Sequence, residues 1–409
     1  MTTPVPIRYM GTKRQLAQHV KRLAASAARK GPLADLFCGM GSVAAEHADG
    51  RHVITNDALA FTAVLARARF TGVLRGLAPS EVIEKLKPAF RAQARYLTAA
   101  YRAELATEAK VIDGTSAALL QHMGEVRHAA NDSSFARRAA IARGKIDDAG
   151  GYQMACLYYA GGYYSQRQAI EIDAIRYSIA HTRGLKKYSD WLLAAWLSAC
   201  SKVINSPGHT AQFLKPNSLA IASRIKSFWR RSVWEEFKLC LVDIEQVGKP
   251  AWRHENLVLV SDALTLLRGK RLAQAGVIYA DPPYTKDQYS RFYHVYEALY
   301  EYSYPTVFGK GRSVAPEARF STGFCLISQV EESFIQMFER VAALGAPLVL
   351  SYPTAGLLSD AGTSVETLAA GRMKIVKHES FAFDHSTMGG SKGKKTKLAT
   401  ENIYVCEPI

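Results

Sequence analysis

The sequence predicts an α/β protein built on a doubly wound, mostly parallel sheet that a long helical stretch interrupts. Three observations carry this expectation. Near the N-terminus an apolar run gives way to two glycines, a small-residue helix and a second apolar run, which is how such a sheet opens. From about 75 to 250 strand alternation disappears, and long helical stretches rich in aromatic and basic residues take over. Strand signals then resume beyond 255.

In chain order, residues 14–30 read as a basic helix stopped by Gly31-Pro32. LADLFC (33–38) reads as a short buried strand, followed by Gly39-Met40-Gly41 and the helix SVAAEHA. HVITND (52–57) is a second strand, and an Ala/Arg-rich helix runs from about 58 to 70. NLVLVSDA (256–263), GVIYADPPY (276–284) and APLVLSYP (346–353) supply further strands. MKIVKHESFAF and ENIYVCEP read as a closing antiparallel hairpin. The expected division is 1–75 with 255–409 for the sheet domain, and 76–254 for a helical insertion.

The chain has 409 residues, with 52 Lys+Arg against 36 Asp+Glu and a net charge of +16. A surplus of that size favours a polyanionic partner, nucleic acid above all. The 48% hydrophobic and 22% charged content is that of a folded domain rather than a disordered one. Six cysteines (Cys38, Cys156, Cys200, Cys240, Cys325, Cys406) form no C-x-x-C pair, which argues against a zinc ribbon or a disulfide framework. They are expected to be buried free thiols, and no metal is expected. The opening MTTPVPIRYMGTKRQL lacks the apolar run of a signal peptide, and no stretch nears the roughly 18 apolar residues of a membrane span. A cytoplasmic protein with no membrane partner is expected.

The most informative string is Asp281-Pro282-Pro283-Tyr284, directly after the apolar run GVIYA. In an open α/β sheet the carboxyl ends of strands are where ligands bind. Consecutive prolines lack N–H donors and hold the backbone in one extended shape, so their carbonyls point in fixed directions. An adenine-type amine is a poor nucleophile because its lone pair is delocalised into the ring. The Asp281 carboxylate and the Pro282 carbonyl could accept both of its N–H bonds and aim the lone pair, with the Tyr284 ring stacked on the base. Taken alone, the same string would also suit a strand-end turn with a structural acid.

It does not stand alone. Asp35-Leu36-Phe37-Cys38-Gly39-Met40-Gly41-Ser42 puts an acid and two glycines after the first strand, where a ligand can approach the backbone closely. Asn56-Asp57 ends the next strand, at about the spacing of a carboxylate that grips ribose hydroxyls. Asp262 follows a further strand. Asp35, Asp57, Asp262 and Asp281 are therefore expected along one edge of the sheet.

These residues resemble the D12 class of adenine-specific DNA methyltransferases. That family opens with an aromatic-x-G-x-K element, here Tyr9-Met10-Gly11-Thr12-Lys13, followed by D-x-F-x-G-x-G, here Asp35 to Gly41. An N-D strand end and, after a long insertion, D-P-P-Y complete the order, which agrees over about 1–75 and 255–409. The resemblance implies a seven-stranded Rossmann-like methyltransferase sheet with S-adenosylmethionine as cofactor. The implied reaction is base flipping of duplex DNA and direct in-line transfer to the N6 amine of adenine. Carried over position by position, Tyr9 and Lys13 would contact the cofactor, Phe37, Gly39 and Gly41 its methionine moiety, Asp57 its ribose and Asp262 its adenine amine. Asp281, Pro282 and Tyr284 would hold the target base. The helical strings 161–179 and 201–216 look like a subset of these methylases, whereas 85–150 matches nothing recognisable. A cognate restriction endonuclease is a candidate further partner. Cytosine N4 as acceptor, an RNA or protein-glutamine substrate, and an idle DNA-binding module are the rival readings.

A methylase must take the base out of the stack. The loop after D-P-P-Y, with Lys286, Tyr289 and Arg291, lies where the flipped base and its phosphates would sit. From Trp191 to Trp234 there are six Lys/Arg and no acid, with amide and imidazole side chains between them. Lys202, Asn205, His209, Gln212, Lys215, Arg230 and Arg231 are the expected DNA contacts, basic residues for phosphate and amides for base edges. The lysine run in GSKGKKTK (390–397) reads as a solvated loop.

Overall fold

The computed structural model describes residues 7, 9, 13–72, 76–385 and 397–409. Seven strands form one sheet: β1 (Leu33–Asp35), β2 (Val53–Asp57), β3 (Leu257–Val260), β4 (Val277–Ala280), β5 (Leu348–Pro353), β6 (Met373–His385) and β7 (Lys397–Pro408). Their order is β3-β2-β1-β4-β5-β7-β6. The first five are mutually parallel, and β7 is antiparallel to both β5 and β6. The chain steps outward from β1 to β3 and then returns to β4 on the other side of β1. That reversal puts the switch point, and hence the natural ligand crevice, between β1 and β4.

The central strands are buried along their length because helices cover both faces. Side chains of β4 alternate between the two sides: Val277 and Tyr279 pack with Val20 and Leu23 of α1 (Ala17–Ala27), while Ile278 faces Phe334 and Met337 of the helix Val330–Ala343. At the sheet edge, β3 leaves Leu257 and Val260 exposed. After β1 comes the short helix α2 (Ser42–Glu46), and after β2 comes α3 (Ala60–Ala66). The helix read at 58–70 continues past α3 as a π-helical turn, Arg67–Thr71, which turns Arg69 inward.

Between β2 and β3 the described residues form helices and no strand, beginning with the 22-residue α4 (Pro79–Ala100). Most of these helices share the core that lies against α3, while Leu119, Met123, Ile225 and Trp229 pack into a smaller cluster formed within the stretch itself. Tyr159, Ile172 and Trp196 belong to one apolar cluster with Phe61 and Val64 of α3 and with Tyr293 and Tyr296 beyond β4. All six cysteines are buried and free. Among the described residues no helix is long and apolar enough to cross a membrane, and no group of three or more His, Cys, Asp or Glu could hold a metal.

Candidate active site

Backbone hydrogen bonds bring the strand ends together. The Leu36 amide donates to Tyr279 O (3.0 Å), that of Cys38 to Asn56 O (2.8 Å) and that of Ser261 to Asp57 O (3.1 Å). The Asn56 side-chain amide donates to Leu36 O and Ser261 O, both at 3.0 Å, and so ties the ends of β1, β2 and β3. A cavity of about 960 Å³, open to solvent, lies over these ends. Asp35, Asp57, Asp262 and Asp281 all line it, with Tyr9, Phe37, Gly39, Pro282 and Tyr284.

The spacing between Gly39 and Asp57 appears here as a contact. The Gly39 amide donates to Asp57 Oδ2 at 2.9 Å, and the Leu59 amide donates to Oδ1 at 3.0 Å. Burial pushes the Asp57 carboxyl up to about 6, although those amides pull the other way. Asp35 is raised well above the ordinary range, by burial first and then by Asp281 and Asp57. Asp262 caps the helix Ala263–Arg268 by accepting from the Thr265 amide at 2.9 Å.

Lys13 does not stand free in the cavity. Its Nζ lies 3.0 Å from Asp281 Oδ1 and 3.0 Å from Glu401 Oε1, with all three side chains largely buried. Burial alone would lower the ammonium pKa, but Asp281 and Glu401 outweigh it and hold the group charged. For Asp281, burial pushes the carboxyl up, Lys13 opposes that push and Glu401 adds to it. Of the described residues lining the cavity, Lys13 is the only cation, facing four acids.

The opposite wall is aromatic. Tyr9 stacks on Tyr293 with centroids 4.5 Å apart and touches Tyr289 at 5.6 Å. Gln288 and Thr322 exchange two hydrogen bonds, 3.2 and 3.3 Å long, which join the loop after Asp281–Tyr284 to the segment carrying Phe320. Met10, Gly11 and Thr12 lie outside the described residues.

Several expectations need correction. Gly41 is absent from the cavity wall. Its φ is 74°, and a Cβ there would lie 2.4 Å from the ring of Phe70, which is fully buried. Glycine is needed there for packing. Gly41→Ala is accordingly expected to cost about 2–4 kcal/mol of stability through left-handed strain and overpacking. Chemical denaturation measures it, and a variant of wild-type stability that had lost ligand binding would return Gly41 to the site. Asn205 is fully buried, with its side-chain amide on Gly162 O and Leu214 O at 3.0 Å each, so it fastens a turn and presents nothing to a groove. Tyr289, by contrast, is half-buried in the aromatic wall and lines the cavity together with Tyr284. Arg231 is half-buried, donating to Lys202 O at 2.6 Å and pairing with Glu236 at 2.6 Å.

Other expected DNA contacts keep some freedom. Lys202 and Arg230 sit in solvent-facing ion pairs with Asp243 and Asp113, of a kind worth little and easily exchanged. Gln212, Lys215, Lys286 and Arg291 are exposed, and His209 stacks on Phe292 at 4.7 Å. The lysine run is described only at Lys397, where β7 begins; the rest lies outside the described residues.

Two residues of the site escaped the sequence reading. Arg69, buried in the π-helical turn, donates to Met40 O at 2.7 Å and braces the glycine loop from behind. Glu401 reaches Lys13 from β7. No spacing rule links either residue to the motif it supports.

A family model described as D12 class N6 adenine-specific DNA methyltransferase matches residues 9–124 and 255–332. It spans the cavity strings and runs on to 124, into the helical stretch. The chain is similar to the modification methylase LlaI of Lactococcus lactis subsp. lactis, 25% identical over 341 residues covering 82% of this chain and 44% of that protein. It is similar also to the type II methyltransferase M.FokI of Planomicrobium okeanokoites, 24% identical over 200 residues, 48% of this chain and 27% of that one. The chain thus spans less than half the length of these curated relatives. The matched segments supply β1 through β4 and the strand-end acids, and over them the chain is similar to the D12 class N6 adenine-specific DNA methyltransferases.

Proposed function

We propose that this protein transfers a methyl group from S-adenosylmethionine to the N6 amine of an adenine flipped out of duplex DNA. The observation that carries the reading is that Asp281-Pro282-Pro283-Tyr284 and the Gly39–Asp57 contact line one cavity at the switch point of the sheet. The cavity suits such a donor on chemical grounds. Four acids face one lysine across it, and a ligand carrying a sulfonium and an ammonium would favour the ionised forms of carboxyls that burial otherwise pushes up. The Gly39 backbone offers close approach, and Asp57 offers acceptors for ribose hydroxyls.

When bound, the donor supplies an electrophilic methyl carbon. The chain's own groups prepare the amine. Asp281 and the Pro282 carbonyl take its two N–H bonds, Tyr284 covers the ring, and the Asp281 carboxylate stands where the departing N6 proton is released. Direct in-line transfer needs no covalent enzyme intermediate. The helical stretch 76–254, with Gln212 and Lys215 exposed and His209 half-exposed, is the proposed recognition part. A nuclease acting on the same site is a partner suggested by the relatives' description as modification methylases. Incubating the protein with donor and genomic DNA, followed by modified-base sequencing, tests the reading. N6-methyladenine in one sequence context is expected. N4-methylcytosine would reassign the acceptor, and unmodified DNA alongside methylated RNA or protein would overturn the reading.

Asp57 makes the donor's affinity depend on pH. Its carboxyl titrates at about 6, and only the ionised form accepts two hydroxyls well. Between pH 5 and pH 7 the ionised fraction rises roughly tenfold, and donor affinity is expected to rise with it. Asp57→Ala should flatten that dependence and weaken binding at pH 7 by about 1.5–3 kcal/mol. Calorimetric titration at both pH values checks this. Equal affinities in wild type and variant would leave Asp57 a turn residue only.

A further inference from the structure

The reading above assigns Asp281 to the base but leaves Glu401 without a role. Glu401 sits on β7, opposite Pro353 of β5 and Phe381 of β6, and is 4% exposed. A carboxylate is costly to bury unless it is paired. Its ion-pair partner is Lys13, and the same ammonium holds Asp281 Oδ1. The three charges come from three separate places: the segment before α1, the end of β4, and β7.

We infer that Glu401 is a positioning residue for the transfer step: it fixes Lys13 between two carboxylates, and Lys13 then presents the remaining oxygen of Asp281 to the target amine. A lysine side chain is flexible and rotamer-rich, so one ion pair alone would leave it free to swing within the cavity. Held at both 3.0 Å contacts, it occupies Oδ1 of Asp281 and leaves Oδ2 as the acceptor. Lys13 also lies 5.6 Å from the Tyr284 ring centroid, so one cation fixes both the acid and the stacking ring of the base pocket. The other groups around Asp281 are Asp35 on β1, Tyr279 on β4, and Tyr284 and Tyr289 in the loop beyond. None of these is a cation.

This inference rests on Asp281 being the base-holding acid, and the experiment separates the two. Single-turnover methyl transfer is measured across pH 5–8 for wild type, Glu401→Gln and Asp281→Ala, with donor affinity and melting temperature measured in parallel. Glu401→Gln is expected to slow transfer by about 10–100-fold, the scale of a small misplacement, with donor affinity within about threefold. Removing the Glu401 charge also makes Asp281 easier to ionise, so the acid limb of the rate profile should move to lower pH. A side chain that only supported the fold would not shift that limb. A rate and acid limb equal to wild type overturn the role of Glu401 while leaving Asp281 intact, provided Asp281→Ala is inactive. An active Asp281→Ala would instead overturn the reading beneath it. If Glu401→Gln fails to fold, Glu401→Asp keeps the charge and is expected to transfer within about tenfold of wild type with an unmoved limb. A folded aspartate variant that is inactive, or whose limb moves down, overturns the inference.

Discussion

Asp281→Ala is expected to lower methyl transfer by about 10²–10⁴-fold while leaving donor affinity within a few fold of wild type. The asymmetry follows from what the side chain touches. Asp281 lies at the end of β4, held by Lys13, whereas Gly39, Asp57 and the β1 loop form their contacts without it. In the proposed reaction, removing the carboxylate takes away one of two acceptors for the amine protons and the group nearest the released proton, and both effects fall on the transition state. It does not strand the lysine, which keeps Glu401 as partner. The fold should therefore survive, and the loss can be read as chemistry. Single-turnover kinetics with saturating donor and DNA, beside calorimetry with donor alone, separate the two quantities. A variant retaining a third of the wild-type rate would remove Asp281 from the mechanism, and one that no longer bound donor would move it into the donor's part of the cavity.

The sheet and the cavity floor were legible in the sequence because each rests on a contiguous string. A buried parallel strand is a short apolar run, and the group that follows it is carried to the ligand edge by topology alone. Reading 33–38, 52–57, 256–263 and 276–284 as strands was therefore enough to place Asp35, Asp57, Asp262 and Asp281 together, and the cavity is lined by all four. The hairpin of β6 and β7 was legible for the same reason. Pairing across the fold was not. The window 191–234 contains no acid and so reads as an uncompensated basic surface, yet Lys202, Arg230 and Arg231 find Asp243, Asp113 and Glu236 from outside it. Asn205 has the side chain of a base reader, but a loop residue carries no periodicity from which burial can be read. Glu401 is the strongest case. Its strand was recognised, but nothing along the chain couples it to Lys13, which lies near the opposite end of the sequence.

Asp173→Ala is expected to cost about 3–5 kcal/mol of stability, a large part of what a domain has to lose. The residue lies in the string EIDAIRYSI, within the helix Gln166–His181, and is fully buried. Its carboxylate accepts from the Ala155 amide at 2.8 Å, from the Cys156 amide at 2.9 Å and from the Tyr302 hydroxyl at 2.6 Å. One side chain thus ties the start of the helix Met154–Tyr158 to its own helix and to the segment that follows His294–Glu301 beyond the site. Alanine would leave two backbone donors and the O–H of Tyr302 without an acceptor in the interior, each costing about 1–3 kcal/mol. The ionisation of Asp173 gives a second readout with a definite sign. Burial raises its pKa from 3.8 to about 6, against the pull of Tyr302 and the two amides. A folded-state pKa above the unfolded one means that the stabilising contribution is full below about pH 4 and is lost as pH rises through about 6. Wild type should accordingly lose roughly 3 kcal/mol of unfolding free energy through this group between pH 4 and pH 7. Asp173→Ala, with nothing there to titrate, should show a correspondingly shallower slope, so its deficit relative to wild type is largest at low pH. Denaturant titrations at pH 4.5 and pH 7.5 measure both effects. A deficit under 1 kcal/mol would mean that these contacts contribute little, and one that grows towards high pH would mean that Asp173 is ionised and stabilising there, its amide contacts outweighing its burial.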